Sequence, residues 1–152
     1  VHLDFSGLIS ITDEQAESLS EVPILILDGL TSITEEQAES LSRVHLLDLS
    51  GLKSITDEQT LILWEVGVLY LDGLTSITDA QAENLSEVGV LHLNGLTSIT
   101  DAQAENLSRV AEKLFLNGLI AITNEQAKSL SKVGFLEISE ACQPLIDKYK
   151  KQ

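Results

Sequence analysis

The chain of 152 residues contains one cysteine, two prolines, no methionine and only 4% aromatic residues. Cys142 has no second cysteine to pair with, which removes a disulfide framework and a Cys-based metal site. A lone cysteine is compatible with the cytoplasm and leaves secretion open. No apolar run approaches the ~18 residues of a membrane span, and Val1 opens inside a repeated pattern without the features of a signal peptide. The missing methionine points to a removed initiator or to a fragment of a longer protein. Bases are scarce too: 9 Lys and Arg stand against 24 Asp and Glu, for a formal charge of −15. Residues 1–108 hold 19 acids and 2 bases (−17), whereas residues 109–152 hold 5 acids and 7 bases (+2). So acidic a chain argues against nucleic acid and anionic membranes as partners, because both attract basic faces. Solubility is the plain role of these acids.

What the chain does have is a ruler. Gly7, Gly29, Gly51, Gly73, Gly95 and Gly118 follow one another at intervals of 22, 22, 22, 22 and 23 residues, each with Leu after it and Ile four positions on. A fixed period in the 20–50 residue range is the signature of a solenoid. In such a molecule each unit touches only its neighbours, and the two ends need covering.

The second unit, Val22 to Arg43, carries the pattern. Leu25 and Leu27 alternate with Ile24 and Ile26, which predicts a short strand with one side inward. Asp28-Gly29 then reads as a turn, since Asp can bond nearby backbone and Gly tolerates positive φ. Thr34 and Gln37 have the spacing of a capping box, with Ile33 and Ala38 placed as a hydrophobic staple. Glu35 and Glu36 in the first turn suit the helix dipole. Ala38 and Leu41 face in, and Glu39, Ser40 and Arg43 face out. The box recurs as Thr12/Gln15, Thr56/Gln59, Thr78/Gln81, Thr100/Gln103 and Thr123/Gln126. Helices this short fall below the ~12–15 residues needed for independent stability, so capping and stacking must hold them.

The runs Val22/Leu25/Leu27, Val44/Leu47/Leu49, Val66/Leu69/Leu71 and Val88/Leu91/Leu93, with their 22-residue period, resemble the leucine-rich repeat family in a divergent, bacterial-like form. The resemblance spans residues 1 to about 139. It departs from the family pattern at Leu30, Leu52, Leu74 and Leu96, where an Asn would be usual; the polar residues Asp28, Ser50, Asp72, Asn94 and Asn117 stand two positions earlier or directly before Gly. The resemblance implies an α/β right-handed solenoid with a concave parallel β-sheet and short convex helices. Six or seven strands at ~4.8 Å spacing would make a sheet roughly 30 Å wide. Residues 1–139 are expected to form six full repeats and a seventh partial strand, and residues 140–152 a C-terminal capping segment with a basic tip.

Regularity makes departures legible. The residue between the two inward leucines should point onto the concave face, and that row reads Asp4, Ile26, Asp48, Tyr70, His92, Phe115 and Glu137. Tyr70, His92 and Phe115 fall on adjacent strands beside Val68, Val90 and Lys113. Grouped exposed aromatics are expected anchors at protein interfaces; cross-strand pairs that merely stabilise the sheet are the alternative. In the third helix Leu61, Ile62 and Trp64 replace Glu, Ser and Ser, which predicts a convex apolar patch of the kind that marks contacts. The alternative there is a helix that rotates or lengthens and buries some of them. At the N-terminal end Leu3, Phe5, Leu8, Ile11 and Leu19 lack a cover, which predicts a stacked partner or further repeats.

Chemistry-bearing patterns are missing. His2, His45 and His92 sit at different phases of the repeat, and there is no nucleophile elbow, phosphate-binding Gly loop or H-E-x-x-H. The row Asp13, Glu35, Asp57, Asp79 and Asp101 could attract Ca²⁺, but it lacks a multi-ligand loop and suits the helix dipole better. The expectation is a non-enzymatic module without cofactor or metal that binds a protein or peptide through Ile26, Tyr70, His92 and Phe115 and through Leu61, Ile62 and Trp64. The alternative is a structural element that dimerises or stacks end to end.

Overall fold

The structure is a computed structural model and describes residues 1–151. Among these residues seven strands alternate with seven helices: β1 (His2–Asp4), α1 (Asp13–Leu19), β2 (Ile24–Ile26), α2 (Glu35–Leu41), β3 (Leu46–Asp48), α3 (Asp57–Leu63) and β4 (Val68–Tyr70) make the first half. The second half runs α4 (Asp79–Leu85), β5 (Val90–His92), α5 (Asp101–Leu107), β6 (Lys113–Leu116), α6 (Asn124–Leu130), β7 (Phe135–Ile138) and α7 (Gln143–Lys150). The strands form one parallel sheet in the order β1 to β7. This is an α/β repeat solenoid.

The sequence period becomes the sheet register directly. Leu25 pairs with Leu47, Leu47 with Leu69 and Leu69 with Leu91, each one repeat along. The central Leu of β2 to β6 is fully buried, as are Leu27, Leu49, Leu71, Leu93 and Leu116 beyond it. From the helix side Ala38, Leu41, Leu63, Ala82, Leu85, Ala104 and Leu107 close the core with no exposed surface. Burying one such Leu side chain stabilises the fold by about 1.5–3 kcal/mol. The result is a ladder of identical layers.

Capping does for these seven-residue helices what length cannot. In α1 to α6 the Thr side chain accepts from the Gln backbone N–H and the Gln side chain accepts from the Thr N–H. The same Gln also couples neighbours. Gln81 donates through Nε2 to the Ile55 carbonyl at 2.7 Å, and Gln37, Gln59, Gln103 and Gln126 do likewise to Ile11, Ile33, Ile77 and Ile99. One buried amide thus closes its own helix and ties it to the preceding one.

One expectation for the turn needs correction. No glycine has positive φ, so backbone freedom is not why Gly recurs. A Cβ on Gly29, Gly51, Gly73, Gly95 or Gly118 would instead strike carbonyl oxygens of the preceding turn, such as those of Asp28 and Leu30 beneath Gly51. Close stacking demands glycine there. The polar row before Gly builds a ladder from repeat to repeat: the Asp72 N–H donates to Ser50 Oγ, the Asn94 N–H to Asp72 Oδ1 and the Asn117 N–H to Asn94 Oδ1, at 3.3, 2.8 and 2.9 Å.

The single 23-residue interval is absorbed before β6. The Glu112 and Lys113 N–H groups both donate to the Gly89 carbonyl, at 2.9 and 3.2 Å, so the extra residue becomes a bulge at the strand entrance. Phe115 stays opposite His92. At the far end α7 lies over the last repeat, with Ile146 and Cys142 buried and Leu145 and Tyr149 packed against the core. Lys148 and Lys150 stay exposed on its last turn. Gln152, the last residue of the expected capping segment, lies outside the described residues.

Candidate functional site

Alternation within three-residue strands sends the central Leu into the core and its two neighbours onto the open side of the sheet. Two rows result. One runs His2, Ile24, Leu46, Val68, Val90, Lys113 and Phe135; the other runs Asp4, Ile26, Asp48, Tyr70, His92, Phe115 and Glu137.

Parallel in-register pairing fixes neighbouring side chains at about the interstrand distance of ~4.8 Å, which lets flat rings stack. Tyr70 and His92 stack with ring centroids 3.8 Å apart and planes 13° from parallel, and His92 and Phe115 do so at 4.0 Å and 5°. All three rings are half-buried. Phe135, on the adjacent row of β7, extends the cluster at 5.9 Å from Phe115 with a 49° tilt, and Lys113 Nζ lies 5.3 Å from its centroid. Phe135 is 47% exposed and was missing from the sequence-derived set. Its signal was present: it directly precedes Leu136, in the position of Val68, Val90 and Lys113. Ile26 lies at a distance from this cluster, separated from Tyr70 by Asp48 on β3.

Carboxylates frame the rings. Asp48 adjoins Tyr70 and Glu137 adjoins Phe115 in the same row. Asp48 Oδ1 accepts from the Ser50 N–H at 2.9 Å, and Glu137 Oε1 accepts from Asn117 Nδ2 at 3.0 Å. Burial between its two aromatic neighbours pushes the His92 imidazole below its ordinary value of 6.5, against an opposing pull from Asp72, Asp48 and Glu137. A neutral ring therefore occupies the middle of the stack at neutral pH. At the sheet's edge, Asp4 is held below the ordinary carboxyl value by the Ser6 hydroxyl and N–H, which both donate to it.

The helix side differs from expectation in detail. Helix α3 has the same seven-residue length as its neighbours, so it does not lengthen to hide its apolar residues. Leu61 is 59% and Trp64 41% exposed, while Ile62 is half-buried and packs against the core. The position of Trp64 is not a solvated one in the repeats on either side. Ser42 and Ser86, its counterparts, are buried C-caps whose hydroxyls donate to the Glu39 and Glu83 carbonyls. Trp64 is too large for that slot and projects outward. Inside the same helix Thr60 replaces the usual Ala, is fully buried, and donates to the Asp57 carbonyl at 2.8 Å.

Among the described residues, no helix is long and apolar enough to cross a membrane. The class that fold and faces define is an α/β repeat solenoid with an aromatic, acid-framed sheet surface. No protein-family model matches the sequence, and no curated protein matches it.

Proposed function

We propose that this protein is a divergent leucine-rich-repeat recognition module, without catalytic activity or cofactor, that binds a protein or peptide across its sheet face. The observation that carries this reading is the continuous stack of Tyr70, His92 and Phe115, extended by Phe135. Stacking fixes the rings in advance, so little side-chain entropy is lost when a partner covers them. Large preorganised aromatics are what dominate binding energy at protein interfaces. The flanking Asp48, Asp72 and Glu137 favour a partner that sets apolar side chains on the rings and basic groups around them.

Selection of a displayed random-peptide library on the intact protein tests this. Enriched peptides should be basic and apolar, and their affinity should drop at least about 30-fold in the Tyr70→Ala/Phe115→Ala double variant, the scale of a lost hot spot. Circular dichroism should show the fold intact, since neither side chain belongs to the buried Leu ladder. Peptides that bind the double variant unchanged would remove the sheet face from consideration.

A second reading has its own observation. Leu61 and Trp64 together place exposed apolar surface on the helix side, where the two adjacent repeats carry Glu39 and Glu83 and the buried Ser42 and Ser86. That suits self-assembly through α3. Light scattering distinguishes the two: concentration-dependent dimers abolished by Trp64→Ser support assembly, and a monomer at all concentrations counts against it.

A further inference from the structure

We propose that the outward face of the first repeat, built on Gly7, Leu8, Thr12 and Gln15, is a docking surface for the trailing face of another 22-residue repeat of this same type. Four devices join neighbouring repeats inside the chain, and all four are polar or steric details that a merely apolar end would not need. Strand edges join, as when the Leu27 N–H donates to the Asp48 carbonyl at 2.9 Å. A turn glycine sits against the carbonyls of the preceding turn. The Gln amide donates to the preceding Ile carbonyl at 2.7–2.9 Å. The N-cap Thr hydroxyl donates to the preceding helix's first acid, as Thr78 does to Asp57 at 2.9 Å and Thr100 to Asp79 at 2.8 Å.

The first repeat carries its half of each device, with nothing engaging it among the described residues. Strand β1 pairs only with β2, which leaves its other edge open. A Cβ on Gly7 would meet nothing within 4 Å, so the steric demand that explains the other glycines of the ruler is absent here. Gln15 closes its own capping box yet is exposed, whereas Gln37, Gln59, Gln81, Gln103 and Gln126 are 5–7% exposed. Leu8 is 38% exposed, against 0% for Leu30, Leu52, Leu74 and Leu96. An open groove of about 560 Å³ lined by Phe5, Leu8, Ile11 and Leu19 occupies the place where a preceding layer of leucines would pack.

The occupant follows from the directionality of these devices. They require an Ile carbonyl, an acid at the first helical position and two stacked turn carbonyls, in the phase of a 22-residue unit. A second copy of this chain has its own trailing face under α7, where Ile146 is fully buried and Leu145 and Tyr149 pack on the core. It therefore has no matching surface to offer.

A direct test places a copy of residues 22–44 immediately ahead of Val1 in the full chain, which preserves the 22-residue glycine phase. The expected result is a Tm rise of about 5 °C or more, with hydrogen exchange at the Gln15 side-chain amide slowed at least about tenfold. Gly7→Ala should be harmless in the original chain and should abolish the gain in the extended one. An unchanged Tm, an unchanged Gln15 exchange rate, or tolerance of Gly7→Ala in the extended chain would overturn the proposal. So would light scattering that finds the original chain dimeric and Leu8→Asp dissociating it, because a second copy would then be the occupant.

Discussion

Gly73→Ala and Gly7→Ala form a matched pair that isolates why the glycine ruler exists. At Gly73 a Cβ would lie 2.6 Å from the Leu52 carbonyl oxygen and closer still to that of Ser50. Both are well inside the ~3.5 Å at which nonbonded heavy atoms attract. The turn cannot retreat easily. The Leu74 N–H donates to the Leu71 carbonyl at 3.1 Å, the Asp72 N–H donates to Ser50 Oγ at 3.3 Å, and Leu74 is fully buried. Overpacking a rigid site costs about 1–3 kcal/mol, and losing one turn hydrogen bond adds about 1 kcal/mol. Ala also restricts the unfolded chain, which stabilises by about 0.4–1 kcal/mol. The net expectation for Gly73→Ala is a loss of about 1–3 kcal/mol. Gly7→Ala retains only the unfolded-state benefit and should be neutral or slightly stabilising, because nothing lies near its Cβ and its φ is not positive. Urea unfolding followed by circular dichroism measures both, with stability compared at unchanged m. If Gly7→Ala cost as much as Gly73→Ala, local turn conformation rather than stacking would explain the glycines, and the reasoning would fail.

Gln81→Ala and Gln15→Ala should differ in the same way: the first removes a buried capping bond and the bond to Ile55, for about 1–3 kcal/mol, while the second loses only an exposed cap worth about 1 kcal/mol. Urea midpoints read the difference, and equal losses would contradict the inter-repeat role of the amide. Because folding depresses the His92 pKa below 6.5, the unfolded chain binds more protons in that window; His92 thus contributes stability above pH 6.5 that is lost as pH falls through its folded value. His92→Phe should flatten that part of the stability profile, and an unaltered slope would refute the assignment. Trp64→Ser should keep or raise stability, since it restores the buried C-cap of Ser42 and Ser86; a marked fall in Tm would mean that Trp64 packs better than its 41% exposure implies.

Strand, turn and helix order were legible because every unit writes the same local chemistry. Alternating leucines, the capping box and the glycine period agree with one another, and six repetitions leave little room for another register. Tyr70, His92 and Phe115 were legible as neighbours for the same reason: in a parallel in-register sheet a period in the sequence is a distance in space. Phe135 was less so, because it lies on the other outward row and meets Phe115 diagonally. Helix α3 shows where reading by analogy stopped. Its Ile62 packs inward and its Trp64 stands where the adjacent repeats bury Ser42 and Ser86, since a helical position's depth depends on the layer beside it.

The sequence by itself determined the period, the order of elements, the caps and the row of variable residues, all of which depend on contacts within a unit or at one fixed offset. Only the tertiary structure decided what the glycines, the glutamines and the polar residues before Gly are for. Their partners belong to the preceding unit: carbonyls beneath Gly51 or Gly73, the Ile55 oxygen for Gln81, Ser50 Oγ for the Asp72 N–H. A local reading assigns each to its own turn or cap, whereas stacking at the interstrand distance gives it a second role across the boundary.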